Sequence, residues 1–174
     1  MSAAPSTTPV DRLAAILEEL AARQTELHGV IRGKLDAMRR ADVEGMIAAS
    51  HREGELVNEV TLLDAQRREI AAELCAEIGI HSVERGRPAS LRRIAARLGA
   101  VDRPRIIKLA DLLRERMLKV AEANRVVELV SREMLAFFKA VFTAIVKDDA
   151  TPRLYSACGE IGTPPGARVL DAVG

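Results

Sequence analysis

Aromatic residues are scarce in this sequence, which contains no tryptophan, one tyrosine and three phenylalanines. Hydrophobic residues nevertheless make up 48% of the chain, so we expect a core that is aliphatic. Cysteine is scarce as well, and Cys75 and Cys158 lie far apart in the sequence. A disulfide between them is possible in principle, but we expect a reduced pair in a cytosolic protein.

Long apolar runs are also absent. The longest stretch, Phe137 to Val146, is interrupted by Lys139 and is shorter than the roughly 18 residues that a bilayer requires. The first residues, MSAAPSTTPV, have neither the basic region nor the apolar region of a secretory signal. We therefore expect a cytoplasmic protein that does not insert into a membrane. The formal net charge of +1 predicts no strong attraction of the whole chain to nucleic acid.

Patterns that carry chemistry are missing too. His28, His51 and His81 show no metal-ligand spacing with one another or with the cysteines. No nucleophile motif occurs, and the many acidic residues lie on the predicted outer faces of helices. These absences predict a protein that is not an enzyme and that has no metal and no cofactor.

Apolar residues recur at alternating steps of four and three in three long segments. This spacing predicts amphipathic helices near residues 11–40, 42–79 and 103–147, with no sheet. The first two helices are separated by only about two or three residues, so they should be antiparallel neighbours.

The predicted helix ends rest on capping residues. Asp11, Asp42 and Asp102 can each cap the start of a long helix, and Gly79 can stop the second one. In the third helix the repeat runs without a slip from Ile106 to Ile145. This repeat predicts coiled-coil-like packing, with Asn124 and Ser131 as polar positions that fix register and Phe138 as a core residue.

The resulting fold class is all-α. We expect an antiparallel bundle of three long helices, a short extra helix in the second connection, capped by Ser90 and closed by Gly99, and a flexible C-terminal tail. The predicted organisation is a disordered N-terminal tail over residues 1–10, a helical-bundle domain over 11–148 and the flexible tail over 149–174.

The segment over residues 84–105 is basic. It holds seven arginines against Glu84 and Asp102, a balance of +5. Residues 90–99 resemble the first helix and turn of a helix-turn-helix, so an alternative function is a DNA-binding regulator in which Arg103 and Arg105 touch DNA. The following helix is far longer than a recognition helix, however, and a solvated basic connector is the simpler interpretation.

All four aromatic residues lie near the C-terminus, as Phe137, Phe138, Phe142 and Tyr155. Phe137 and Phe142 lie off the four-three repeat, so the apolar surface widens between Met134 and Val146. A helix that is apolar on several faces needs either more core or a partner, and the residues alone leave both interpretations open.

Several local sequences together resemble the FlgN-type export chaperones of the bacterial flagellum. They are Glu18-Glu19-Leu20, the turn Arg40-Ala41-Asp42-Val43-Glu44, Asn124 in the third helix, and a closing Tyr155-Ser-Ala-Cys-Gly159 that fits the family's Y-x-x-x-G. The resemblance covers Leu13 to Gly162. The family often has a second asparagine three residues after the first, where this chain has Val127.

The resemblance implies a cytosolic chaperone that binds hook–filament junction proteins through its C-terminal helix and tail. Such a chaperone prevents premature assembly of its cargo and delivers it to the flagellar export gate. The residues expected to bind cargo are Met134, Phe137, Val141, Phe142, Ile145 and Val146. Tyr155 and Gly159 are expected to dock at the export gate. A structural coiled-coil protein remains a further alternative.

Overall fold

The computed structural model describes residues 8–80, 90–149, 154–155 and 161–162. It contains, in chain order, α1 (Pro9–Arg39), α2 (Val43–Glu77), α3 (Leu91–Ala95), α4 (Asp102–Asp149), β1 (Leu154–Tyr155) and β2 (Ile161–Gly162). The predicted all-α fold, with three long helices and a short one in the second connection, is confirmed. The chain divides into two compact units, Met1–Val127 and Glu128–Gly174.

The expectation of no sheet is wrong in one detail, because β1 and β2 pair antiparallel. Leu154 lies opposite Gly162, and Tyr155 lies opposite Ile161. Two-residue strands escape a search for alternating hydrophobicity, which needs a run of at least about four residues. The rest of the predicted tails and the polar connector lie outside the described residues, at 1–7, 81–89, 150–153, 156–160 and 163–174.

The start of α1 differs from the prediction that Asp11 caps it. Thr8 is the N-cap, and its hydroxyl oxygen accepts a hydrogen bond from the backbone N–H of Asp11 at 3.1 Å. Pro9 can occupy the first helical position because the N–H it lacks would have no partner there. Asp11 instead lies in the first turn of the helix, where a carboxylate is favourable.

A tight turn joins α1 to α2. Asp42 caps α2 as predicted, since its carboxylate accepts from the backbone N–H of Gly45 at 2.8 Å. The N–H of Asp42 bonds back to the carbonyl of Ala37 at 2.9 Å, and that of Ala41 to Met38 at 3.1 Å. These two bonds end α1 and place Ala41 at φ 53, in the left-handed region that glycine usually occupies at this position.

The first two helices form the predicted antiparallel hairpin. Arg12 near the start of α1 pairs with Glu73 near the end of α2, at 2.7 Å. Lys34 near the end of α1 pairs with Glu53 in the first half of α2, at 2.9 Å. The side chain of Glu53 is only 22% exposed, and its pairing with Lys34 compensates the charge that α2 holds there.

The end of α2 and the start of α3 also follow the prediction. The N–H of Ile80 bonds to the carbonyl of Cys75 at 2.9 Å, with Gly79 between them at φ 66. The backbone N–H of Arg93 donates to the hydroxyl of Ser90 at 3.3 Å, which caps α3.

The core of the first unit lies at the end of the hairpin opposite its turn. The apolar stripe of α1 packs there against the last turns of α2, against Ile94 of α3 and against Ile106 of α4. The cluster includes Leu13, Leu17, Ile94 and Ile106, none of which is exposed to solvent. Burial of each such leucine or isoleucine contributes about 1.5–3 kcal/mol.

The repeat along α4 is only partly buried. Ile106, Leu113, Val120 and Val127 are buried as the repeat predicts. The expectation that Asn124 is a buried polar residue fixing the register is wrong, because its side chain is exposed. α4 also begins at Asp102 itself, which is therefore its first residue and not a preceding cap. In the described part of the chain, no helix has the length and apolar character needed to cross a membrane.

Candidate partner-binding surface

The part of α4 that belongs to the second unit has no buried side chain over residues 128–146. The repeat nevertheless continues through it, so the prediction that Phe138 belongs to the core is wrong: 58% of its surface is exposed. The described residues of this unit comprise one helix and two strands of two residues each. These described residues include no second long helix that could cover the apolar stripe.

Between Met134 and Val146 the only charged residue is Lys139. With a rotation of about 100° per residue, the bulky side chains occupy one half of the helix circumference. We call them the aromatic surface of α4, which consists of Met134, Leu135, Phe137, Phe138, Val141, Phe142, Ile145 and Val146. The phenyl rings of Phe137 and Phe138 meet edge to face, with centroids 6.0 Å apart and planes at 64°.

The opposite side of the same helix carries small residues. Ala136, Ala140, Thr143 and Ala144 line a shallow depression of about 550 Å³ with Lys139. The hydroxyl of Thr143 donates to the carbonyl of Lys139 at 2.7 Å, so its polar group is satisfied within the helix. This side therefore allows close approach of another chain without presenting free side-chain hydroxyl donors.

The six residues expected to bind cargo all belong to the aromatic surface. Phe137 and Phe142 are the most exposed of them, at 65% and 69%. Val141, Ile145 and Val146 are exposed as well, and Met134 is half-buried. The structure brings these six residues together within four turns of one helix, and their role in binding cargo stays a prediction.

Sequence reasoning missed two members of this surface, Leu135 and Phe138. Leu135 is 70% exposed and lies three residues before Phe138, so the two side chains are neighbours on the helix. Phe138 was assigned to the core because it obeys the four-three repeat. The repeat identifies the side that packs against a partner, but it does not identify whether that partner is in the same chain.

The residues expected to dock at the export gate are described only in part. Tyr155 lies in β1, where its backbone pairs with Ile161. Gly159 lies outside the described residues. Their predicted role is neither supported nor opposed by the fold.

The basic segment does not have the geometry of a helix-turn-helix. α3 has only 5 residues and α4 has 48. Arg92 pairs with Asp111 at 2.7 Å, and Arg105 pairs with Asp11 at 2.8 Å, so two of its arginines are engaged by carboxylates of the bundle. Arg85 and Arg87 lie outside the described residues.

Charged groups in the first unit are organised as ion pairs. Hydrogen bonds from Arg52 lower the pKa of both Glu26 and Glu55. Burial raises the pKa of the Cys75 thiol. The lowered pKa values favour the ionised carboxylates of Glu26 and Glu55 beside Arg52, and burial disfavours the thiolate of Cys75. Among the described residues, no three histidines, cysteines or acidic residues lie together where they could hold a metal ion.

A family model described as FlgN protein matches residues 9–162, a range that begins with α1 and ends with β2. No curated protein and no solved structure matches the chain.

Proposed function

The chain belongs to the FlgN family, whose members are flagellar export chaperones, and from that premise we propose that it serves hook–filament junction proteins in the cytoplasm. It binds them through the aromatic surface of α4, prevents their premature assembly and delivers them to the flagellar export gate. The observation that carries this proposal is the exposure of three phenylalanines on one helix, with Lys139 as the only charge among them.

Exposed aromatic side chains are costly for a protein that has no partner to cover them, because water must surround their apolar area. A cargo helix with apolar residues at steps of three and four can cover Phe138, Phe142 and Ile145 at once. The small residues on the opposite side of the helix, such as Ala140 and Ala144, allow the remainder of the cargo segment to pack closely there. Docking at the export gate is assigned to Tyr155 and Gly159, beyond the end of α4.

The test compares two substitutions of equally exposed apolar residues, Phe142→Ser in α4 and Leu62→Ser in α2. Phe142 is 69% exposed and Leu62 is 67% exposed, so both variants should fold. Phe142→Ser should weaken binding of a purified hook–filament junction protein at least about tenfold, because loss of a packed interfacial aromatic costs about 2 kcal/mol or more. Leu62→Ser should bind as the unchanged chain does.

Calorimetric titration measures the affinity, and chemical denaturation measures the free energy of unfolding. Equal binding by the two variants would contradict the assignment of cargo binding to the aromatic surface. A large loss of stability in Phe142→Ser, with cargo binding retained, would show that the aromatic residues pack as core in solution.

A further inference from the structure

A groove lies within the first unit, between α2 and α4, with α1 as its floor. It has a volume of about 730 Å³ and is lined by residues of all three helices, including Leu20, Val60 and Met117. We call it the α2–α4 groove. Leu20 is buried beneath it, whereas Met117 is 52% exposed although it occupies a position of the apolar repeat. The side chain of Met117 is therefore an apolar group that remains open to solvent at this groove.

Gln24 places a polar side chain at this groove. The residue is only 7% exposed and lines the groove. Among the described residues, no fully buried side-chain nitrogen or oxygen lacks a hydrogen-bond partner, so the amide carries no burial penalty. It can still donate to or accept from an occupant of the groove.

The charge around the groove is positive. Asp64 is shared by Arg67, at 2.8 Å, and Arg68, at 2.6 Å, so two guanidinium groups face one carboxylate. Arg114 follows the lining residue Leu113 on α4 and is exposed, with no ion pair to a described residue. Among the residues that line the groove, the two arginines outnumber the one aspartate, and this excess of positive charge favours an acidic occupant.

We propose that the α2–α4 groove is a docking site for an amphipathic helix of a partner protein, in which carboxylates flank an apolar stripe. Two neighbouring helices with an apolar cleft between them are the surface on which a further helix packs to complete a bundle. The apolar stripe covers Leu20, Val60 and Met117, and the carboxylates meet Arg68 and Arg114. This site is separate from the aromatic surface of α4, and the proposal does not depend on cargo binding there.

The test uses two synthetic helical peptides with the same leucine repeat, one with glutamate and one with lysine at the flanking positions. Fluorescence anisotropy measures the affinity of each for the full chain. The glutamate peptide should bind at least about tenfold more tightly, and raising the salt concentration should weaken it. Equal affinities, or no binding of the glutamate peptide, would overturn the proposal.

Variants locate the bound peptide. Arg68→Glu and Met117→Glu should each lower the affinity for the glutamate peptide at least about tenfold. Both residues are exposed enough that the fold should persist. Arg32→Glu in α1 and Leu62→Glu in α2 are the matched controls, since both residues are exposed and neither lines the groove. Phe142→Ser should leave peptide binding unchanged. If only Phe142→Ser weakens it, the peptide binds the aromatic surface and the proposal fails.

A second copy of the chain is the competing occupant. Analytical ultracentrifugation distinguishes the two cases, because a chain that fills the groove with its own copy should be a dimer that Met117→Glu dissociates. That result would overturn the assignment to a partner protein. A monomer whose mass does not change on Met117→Glu, together with loss of peptide binding, supports it.

Discussion

Arg105, in the first turn of α4, donates a hydrogen bond to the carboxylate of Asp11, in the first turn of α1, at 2.8 Å. The two helices therefore begin at the same end of the first unit. Further along both helices, Leu20 of α1 and Met117 of α4 line the same groove, so within this unit they run parallel, with α2 antiparallel to both. The pair also occupies an arginine that a DNA-binding function would require. Hydrogen bonds from Thr8 and then from Arg105 lower the pKa of Asp11, so the carboxylate is ionised at neutral pH.

We accordingly expect no DNA binding at about 0.15 M salt. At lower salt, the full chain titrated with duplex DNA should retain some of it through electrostatic attraction to the basic segment. That binding should fall steeply as counterions compete for the phosphates. Filter binding over a series of salt concentrations measures it, and tight sequence-selective binding at physiological salt would revive the helix-turn-helix alternative.

Leu17 and Phe138 both obey an apolar repeat, but their substitution should have opposite consequences for stability. Leu17 is fully buried and Phe138 is 58% exposed. Leu17→Ala should cost about 2–5 kcal/mol, whereas Phe138→Ala should change the free energy of unfolding by about 0.5 kcal/mol or less. Urea denaturation measures both. Similar large losses would indicate that α4 is covered in solution.

Replacement of Ala41 by glycine should stabilise the folded chain. A residue with a Cβ is strained by about 1–2 kcal/mol at the φ of 53 that Ala41 adopts. Glycine relieves this strain, but its greater freedom in the unfolded chain offsets about 0.4–1 kcal/mol of the gain. Ala41→Gly should therefore raise the free energy of unfolding by about 1 kcal/mol or less. Ala48→Gly, within α2, is the control and should lower it by about 1 kcal/mol. A loss in both variants would contradict the left-handed conformation.

The Cys75 thiol should resist alkylation in the folded chain. It is 6% exposed, and burial raises its pKa, so little thiolate forms at neutral pH. In a Cys158→Ser variant, iodoacetamide should modify Cys75 at least about tenfold more slowly before unfolding than after it. Mass spectrometry follows the reaction, and rapid labelling of the folded chain would show that the end of α2 opens readily.

Tyr155→Ala should leave thermal stability nearly unchanged while weakening flagellar export. Tyr155 lies in a strand of two residues, which can add little to the stability of the chain. The export assay compares Tyr155→Ala with Tyr155→Phe, which keeps the aromatic ring. A large fall in melting temperature for Tyr155→Ala, or unchanged export, would contradict its role at the export gate.

The ends of the helices could largely be predicted from the sequence because the residues that cap or stop a helix lie close to its end in the chain. The side chains of Asp42 and Ser90 cap the helices they were expected to cap, and Gly79 ends α2 through its positive φ. The error at Asp11 is also local: Thr8 competes for the same backbone N–H groups and is followed by a proline suited to the first helical position. Each of these outcomes depends on residues within one turn of the helix end.

Burial along α4 was harder to predict because it depends on what lies beside the helix. Val127 and Phe138 satisfy the same repeat, yet only Val127 is buried. Asn124 and Met117 also satisfy it and are exposed. A periodic pattern identifies a common side of the helix, whereas burial requires a second surface in contact with that side. The aromatic surface was therefore predicted in composition, but the exposure of Leu135 and Phe138 was not.

The hairpin of α1 and α2 has a consequence for synthesis on the ribosome. Its contacts, from the Ala41 turn to the pair of Arg12 and Glu73, are complete once α2 has emerged, and such local pairings form quickly. Ile106, which closes the same core, emerges only later. During that interval the nascent hairpin exposes Leu17 and Leu74, so we expect ribosome-bound chains halted before α4 to be cut by protease faster than chains halted beyond Val127.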